Sequence, residues 1–151
     1  MAVRVKTTVT LKAEAKCPSH SRADISIRDL EFAIDEPTER GGTNLGPTPT
    51  DTALAALIGC TNVIGHKCAK SLGVDVGKLD ISASCDFDRR GVTLNEEIEV
   101  PFQSITLVVR SDGAASTTEL ERVGDEVEKF CPLSKLFENG GTQLNVTWEK
   151  A

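Results

Sequence analysis

The sequence predicts a single α+β domain over residues 1–151, with antiparallel strands at both ends of the chain and two main helices between them. Two observations support this class. Segments in which polar and apolar residues alternate open and close the chain, as in half-buried strands. Between them, residues 46–73 and 116–130 carry apolar residues at helical spacing. A chain of this length can bury a sizeable core.

The composition limits the kinds of partner and compartment. A net charge of −6 and a pI near 5.0 argue against nucleic acid or an anionic membrane as partner. The five cysteines form no CxxC pair, and neither His20 nor His66 lies at ligand spacing from a cysteine pair, so we expect no metal site. The N-terminus lacks the apolar segment of a signal peptide, and no run approaches the length of a membrane span. We therefore expect a cytoplasmic protein whose thiols are free or catalytic.

The N-terminal third is predicted to form strands. Residues 3–17 alternate almost without a break, which predicts one long half-buried strand. Its apolar side comprises Val3, Val5, Val9, Leu11, Ala13 and Ala15. A second strand covers residues 24–27, and the apolar parity changes at Arg28-Asp29, which predicts a tight turn or bulge before the apolar run 30–34. A glycine-rich loop over residues 39–47 then leads to the central helix.

The central helix has a recognisable start and stop. Thr48 is suited to the N-cap, Pro49 to the first helical position, and Asp51 to the acidic position of a capping box. Gly73 is suited to the C-terminal cap. A helix of about 23 residues spans roughly 35 Å, which is the width of a small domain. We therefore expect this helix to be a central element of the fold.

Cys60 is predicted to lie in the middle of the apolar stripe of this helix. Its neighbours within about 60° on the helical wheel are Ala53, Ala56, Leu57, Val63 and Ile64. The spacing favours a buried structural thiol, and a nucleophile in a dry pocket is the alternative. Cys68 is predicted to pack in the core. His66 lies about 120° away from Cys60 and is poorly placed to act as its base.

The C-terminal half alternates between strands and helices. Strands are predicted over residues 79–87 and 98–109, the second as one strand or a bent pair. Ser116 and Glu119 form a second capping box. The apolar side of the helix that follows comprises Leu120, Val123, Val127 and Phe130. A short helical turn over residues 133–137 precedes a last strand, whose inward side comprises Leu144, Val146 and Trp148.

Cys131 has a position that suits a reactive thiol. It stands where an N-cap stands, directly before Pro132 at the first position of a short helix. The free amide groups of a helix N-terminus favour a thiolate and lower the pKa of a cysteine. An ordinary cysteine in a connecting segment is the other interpretation, and the local sequence leaves both open.

Taken together, these features resemble the OsmC/Ohr family over nearly the whole chain. The matching residues are Gly41-Gly42, Gly46-Pro47, Pro49, Ala55-Ala56-Leu57, Cys60, Cys131-Pro132, Ser134 and Leu136. The resemblance implies an OsmC/Ohr-like α+β fold that forms an intertwined homodimer, with two active sites where the subunits meet. It also implies thiol-dependent reduction of organic hydroperoxides, with an external dithiol as reductant and no cofactor.

By this resemblance, Cys60 matches the cysteine that attacks the peroxide and Cys131 the cysteine that resolves the intermediate. The family activates the first cysteine with an arginine from the N-terminal strands, for which Arg22 is our candidate and Arg28 the alternative. Such a cation is needed because burial by itself raises the pKa of a thiol.

The acidic residue that steadies this arginine departs from the pattern of many family members. They carry it ten residues before the cysteine, where this chain has Thr50. Asp51 stands nine residues before Cys60, as the acid does in another branch of the family, so it is our candidate. A role for Asp51 in capping the helix is the alternative, because it would point about 180° away from Cys60.

A second hypothesis for the function follows from this departure. The protein would be a non-catalytic dimer that binds a small apolar or electrophilic ligand in the same cysteine pocket. It would then be stabilised by the ligand and would consume no peroxide.

Overall fold

The computed structural model describes residues 5–151, which form two compact units. The N-terminal unit ends at Thr52 and the C-terminal unit begins at Ala53, so that the central helix α1, Pro49–Leu72, starts in one and continues in the other. The expectation of a single domain over residues 1–151 stays a prediction.

A three-stranded antiparallel sheet forms the N-terminal unit. Its strands are β1 (Glu14–Lys16), β2 (Ala23–Ile27) and β3 (Leu30–Ile34), in the order β1-β2-β3. A two-residue turn joins β2 and β3, and Arg28 adopts a φ of 57° in it. This tight turn confirms the predicted change of parity, because it reverses the chain between the two apolar runs.

The long strand predicted over residues 3–17 is wrong in extent. Only Glu14–Lys16 is a strand, paired with residues 24–26 of β2, and residues 3 and 4 lie outside the described part of the chain. The predicted apolar side is solvent-exposed, with Val5, Val9 and Leu11 at 77%, 69% and 89% exposure. Alternation of polar and apolar residues indicates only which side of a strand each residue would face. A strand also needs a neighbouring strand to accept and donate its backbone hydrogen bonds along its length.

A buried carboxylate organises the glycine-rich loop that follows a 3-10 turn at Thr38–Arg40. Asp35 is fully buried and accepts hydrogen bonds from the backbone N–H groups of Glu36, Thr43 and Leu45 and from the Thr43 hydroxyl. The Thr43 hydroxyl and these backbone donors hold the pKa of the Asp35 carboxyl well below its usual range. A side chain at Gly42 would overlap the carbonyl of Glu36, so the loop closes only with glycine there.

The N-cap and the C-terminal cap of α1 form as predicted, but the predicted capping box of Thr48 and Asp51 is wrong in one of its two bonds. The Thr48 hydroxyl accepts a hydrogen bond from the backbone N–H of Asp51 over 3.1 Å, as an N-cap does. The reciprocal bond of a capping box, from the Thr48 N–H to the Asp51 carboxylate, is not among the hydrogen bonds of residues 5–151, since an Asp side chain is one methylene shorter than Glu. At the other end Gly73 takes a φ of 68°, and the Val74 N–H closes the helix on the Ala69 carbonyl.

The buried face of α1 is rotated from the predicted one. Its buried residues are Leu57, Thr61, Gly65, Cys68 and Ala69, whose mean direction lies about 110° from Cys60. Cys60 is half-buried at the edge of this face, and Val63 is 50% exposed. The prediction that Cys60 lies mid-stripe is therefore wrong. Gly65 is one reason for this error. It has no side chain, so Trp148 packs directly on the helix there, but a prediction based on the positions of apolar side chains gives glycine little weight.

The C-terminal unit contains a mixed sheet with the order β4-β5-β6. Its strands are β4 (Leu79–Phe87), β5 (Phe102–Ser111) and β6 (Gln143–Lys150). β4 and β5 are antiparallel as expected, whereas β6 is parallel to β5. The intervening chain forms the helices α2 (Thr117–Phe130) and α3 (Pro132–Asn139), a connection long enough to return the chain to the same end of the sheet.

The core of this unit lies where α1, α2 and α3 contribute buried residues alongside those of the sheet. Its largest members are Leu57, Ile105, Leu107, Val109, Leu120, Val123, Phe137 and Trp148. The capping box of Ser116 and Glu119 forms in full at the start of α2. Phe130 and Val146 are 61% and 42% exposed, so their predicted inward positions are wrong in this chain. Among residues 5–151, no helix is both long and apolar enough to cross a lipid bilayer.

Candidate thiol site

Two thiols that are distant in the sequence meet in the C-terminal unit. Cys60 is carried by α1, and Cys131 caps α3 from the end of α2. Cys131 is fully buried and Cys60 is half-buried. The Cys131 side chain lies near enough to Cys60 to raise the pKa of the Cys60 thiol. All five cysteines of the chain carry free thiols, so both groups are reduced.

Backbone amides at the N-terminus of α3 act on both sulfurs. Pro132 occupies the first position of the helix, which leaves the amides of Leu133 and Ser134 free to donate. The Ser134 N–H donates to the Cys131 sulfur over 3.4 Å. A hydrogen bond from the Leu133 backbone favours the thiolate of Cys60 and lowers its pKa. The predicted N-cap position of Cys131 is confirmed, and the same helix end also reaches Cys60.

The net effect of these surroundings is to raise the pKa of the Cys60 thiol above its ordinary value. Burial is the largest cause and raises it, the Leu133 backbone lowers it, and Cys131 raises it again. Lys67 lowers it slightly. Lys67 was not among the predicted site residues, although its spacing of seven residues places it on the same face of α1 as Cys60.

The other cysteines have different surroundings. Cys68 is buried in the core as predicted, and burial, Glu126 and Cys131 raise its pKa. Burial and Asp86 raise the pKa of Cys85, which is half-buried, whereas Cys17 is exposed. Within the described residues, no group of three or more His, Cys, Asp or Glu side chains is arranged to hold a metal ion.

Arg22 and Asp51 both belong to the N-terminal unit. The Arg22 guanidinium binds Asp24 with two hydrogen bonds of 2.7 and 3.0 Å, and this pairing raises its pKa. The alternative residue, Arg28, lies in the turn between β2 and β3. Asp51 is exposed, and its backbone N–H donates to Thr48 in the cap of α1. The structure thus brings Cys60 and Cys131 together in one unit and pairs Arg22 with a carboxylate in the other.

The fold and the site define an α+β protein that holds a pair of adjacent thiols at a helix N-terminus. The chain belongs to the OsmC family: the family model described as "OsmC-like protein" matches residues 42–147. The resemblance seen in the sequence is thereby confirmed. No curated protein matches the chain.

Solved structures share the fold along nearly the whole chain. An OsmC-like protein from Mycoplasma pneumoniae has a TM-score of 0.79 and 18% identity, covering 95% of this chain and 98% of its own. An organic hydroperoxide resistance protein OsmC from Legionella pneumophila has a TM-score of 0.69 and 16% identity, with coverages of 97% and 99%. OhrB of Bacillus subtilis, an organic hydroperoxide resistance protein, has a TM-score of 0.64 and 20% identity, with coverages of 93% and 98%. At such identities the likeness shows the fold.

Proposed function

We propose that this protein is a thiol-dependent peroxidase that reduces organic hydroperoxides, with Cys60 as the attacking cysteine and Cys131 as the resolving one. The observation that carries the proposal is that the N-terminus of α3 acts on both thiols: Cys131 caps it and accepts from the Ser134 N–H, and Leu133 and Cys131 both change the pKa of Cys60. The Legionella pneumophila and Bacillus subtilis proteins of the same fold are named for resistance to organic hydroperoxides, which supports this class of substrate.

In the first step, the Cys60 thiolate attacks one oxygen of the O–O bond. An S–O bond forms, the O–O bond breaks, and the alkoxide leaves and takes a proton to become an alcohol. Cys60 is then a sulfenic acid, oxidised by two electrons, and the peroxide has been reduced by two.

In the second step, the Cys131 sulfur displaces the sulfenic oxygen, which leaves as water, and a Cys60–Cys131 disulfide forms. Neither thiol has to cross the protein for this, because Cys131 lies near enough to Cys60 to change its pKa. An external dithiol reduces the disulfide by exchange and restores both thiols. The cycle requires this reductant and no cofactor.

The raised pKa of Cys60 means that the thiolate needs more positive charge than the C-terminal unit supplies. Arg22 is the proposed source, held in one orientation by its two bonds to Asp24. Asp51 is the proposed acid partner near the start of α1, and its position in the cap of that helix supports the structural alternative equally well.

We further propose that the active form is a cytoplasmic homodimer with two sites where the subunits meet. Two apolar surfaces support a second copy. Residues 5–13 alternate as a strand does and expose their apolar side, and the face of α1 that carries Ala56, Cys60 and Val63 is largely exposed in the single chain.

The peroxidase is tested by mixing the reduced protein with cumene hydroperoxide and following peroxide loss with dihydrolipoamide as reductant. Cys60→Ser is expected to abolish turnover. Cys131→Ser should leave a single turnover and a sulfenic acid that mass spectrometry detects. Cys85→Ser, another half-buried thiol of the same unit, is the matched control and should remain active. Turnover that survives Cys60→Ser would refute the proposal.

One observation favours the non-catalytic alternative, a dimer that binds a small apolar or electrophilic ligand in the cysteine pocket. The pKa of Cys60 is raised, so most of the thiol is protonated and weakly nucleophilic at neutral pH unless a cation activates it. Intact-mass spectra after peroxide treatment separate the two functions. A protein without sulfenic acid or Cys60–Cys131 disulfide, yet stabilised against heat by a ligand, would favour the alternative.

A further inference from the structure

A cavity of about 250 Å³ lies in the C-terminal unit between α1 and the C-terminal half of α2. Its α1 wall comprises Ile64, Lys67, Cys68, Ser71 and Leu72, and its α2 wall comprises Glu126 and Phe130. This volume is just below the usual range of about 300–1,000 Å³ for small-molecule sites, so an occupant would be small. The two-step chemistry proposed for Cys60 and Cys131 does not use this cavity.

The cavity lies in line with Cys60 along α1. At 100° per residue, Ile64, Lys67 and Ser71 all fall within about 40° of Cys60 on the helical wheel. Along the helix axis, Ile64 lies about 6 Å and Lys67 about 10 Å from Cys60. Side chains of a helix lean toward its N-terminus, so the long side chain of Lys67 extends back toward Cys60. Lys67 accordingly lowers the pKa of the Cys60 thiol.

The walls of the cavity are mainly apolar. Ile64, Leu72 and Phe130 contribute apolar side chains, and Cys68 contributes a buried thiol. Phe130 is 61% exposed in the single chain, so an apolar group in the cavity would cover part of its ring. The hydrophobic effect would therefore stabilise the apolar part of a ligand here.

The charged groups of the cavity leave one cation without a partner. Among residues 5–151, Lys67 takes part in no ion pair within 4.0 Å. On the opposite wall, Glu126 pairs with Lys129 over 2.7 Å, so its charge is already compensated. Ser71, four residues after Lys67 on the same wall, adds a hydroxyl that donates a hydrogen bond. An ammonium group beside a hydroxyl suits a carboxylate.

We propose that this cavity binds a small amphipathic carboxylate, whose anionic group pairs with Lys67 and whose apolar part covers Phe130. The bound carboxylate compensates the charge of Lys67, which otherwise favours the Cys60 thiolate, and so makes Cys60 less reactive. The ligand thus regulates the thiol from a separate site. This inference goes beyond the proposed peroxidase, and its test uses no peroxide, so that one can fail without the other.

Hexanoate is the probe, because it combines a carboxylate with a short alkyl chain. It is titrated into the reduced whole protein at low salt and followed by isothermal titration calorimetry. We expect saturable binding with a midpoint of about 1 mM, which weakens as salt is added. Hexanamide, which is neutral, and acetate, which lacks the alkyl chain, should each bind more weakly by about tenfold or more.

Matched variants decide between a site and a general charge effect. Lys67→Gln should weaken hexanoate binding about tenfold, because it removes the ammonium group that pairs with the carboxylate. Lys70→Gln is the control: it makes the same change on the same helix, but Lys70 does not line the cavity. Phe130→Ala should also weaken binding, and its melting temperature should stay close to that of the parent protein because the ring is largely exposed.

The reactivity of Cys60 tests the regulatory effect. Iodoacetamide is neutral, so its rate of reaction with Cys60, located by mass spectrometry, follows the thiolate fraction of that residue. Saturating hexanoate should slow this rate about twofold in the parent protein, because it compensates a screened surface charge. In Lys67→Gln protein hexanoate should have no effect, since that charge is already absent. Hexanamide at the same concentration should leave both rates unchanged.

The proposal has three points at which it can be overturned. Binding that does not saturate by about 20 mM hexanoate would leave the cavity to water. Equal losses of affinity in Lys67→Gln and Lys70→Gln would mean that hexanoate responds only to the general charge of α1. An alkylation rate that bound hexanoate leaves unchanged, or slows equally in Lys67→Gln protein, would show that the cavity does not regulate Cys60.

Discussion

Arg22 and Asp24 form a bidentate pair, with the guanidinium donating to both carboxylate oxygens over 2.7 and 3.0 Å. Such a pair fixes a planar guanidinium in position as well as in charge. It gives Arg22 a carboxylate partner within the N-terminal sheet itself, independent of the acid near the start of α1. If Arg22 activates Cys60, Asp24 is the residue that positions it.

The first prediction concerns Asp24→Asn. The variant should react with cumene hydroperoxide about tenfold more slowly, because the guanidinium loses its fixed orientation, while its melting temperature stays close to that of the parent protein. Stopped-flow kinetics measure the rate, and circular dichroism the melting. Asp29→Asn, in the exposed turn after β2, is the control and should react at the parental rate. If the Asp24→Asn protein reacts at the parental rate, Asp24 does not position Arg22 for the reaction.

The second prediction concerns the pH dependence of Cys60. Because its pKa is raised, the thiolate fraction at neutral pH is small and grows as the pH rises. The rate of Cys60 alkylation by iodoacetamide, located by mass spectrometry, should therefore increase into the alkaline range. Lys67→Gln removes a cation that lowers this pKa, so its profile should shift to higher pH. Lys70→Gln is the control on the same helix, and a profile that shifts equally there would contradict the role of Lys67.

The third prediction concerns the contact between α1 and Trp148. A Cβ at Gly65 would lie 2.7 Å from the indole Cη2, so Gly65→Ala should destabilise the fold by about 1–3 kcal/mol through overpacking. At Gly59, on the same helix, an added Cβ meets nothing within 4 Å, and Gly59→Ala should stabilise by up to about 1 kcal/mol through helix propensity. Urea unfolding measures both. Equal effects of the two substitutions would exclude the packing explanation.

The fourth prediction concerns Asp35 and acid. Its folded-state pKa is depressed, so its contribution to stability is fully present above its unfolded pKa of about 3.9 and is lost as the pH falls toward the folded value. The free energy of unfolding should therefore fall below about pH 4. Asp35→Asn should be less stable at neutral pH and should lose less on acidification. Urea unfolding between pH 7 and pH 3 measures this, and parallel pH profiles of the two proteins would contradict it.

Much of the local structure was predictable because its causes are local. Ser116 and Glu119 are three residues apart and satisfy each other's backbone groups, so the capping box could be recognised without coordinates. The position of Cys131 directly before Pro132 likewise predicted the N-terminus of a helix. The long strand over residues 3–17 could not be judged in this way, because the existence of a strand depends on a partner elsewhere.

The sequence by itself determined the class of fold, the ends of the helices and the two cysteines to consider, since periodicity, caps and motifs depend on neighbours a few residues apart. Only the tertiary structure decided which face of α1 is buried, that Cys131 lies near Cys60, and that the Leu133 backbone acts on the Cys60 sulfur. It also revealed the bond from Arg22 to Asp24 and the cavity that Lys67 and Phe130 line. These relationships arise from the packing of separate elements, and a one-dimensional pattern carries no information on the distance between them.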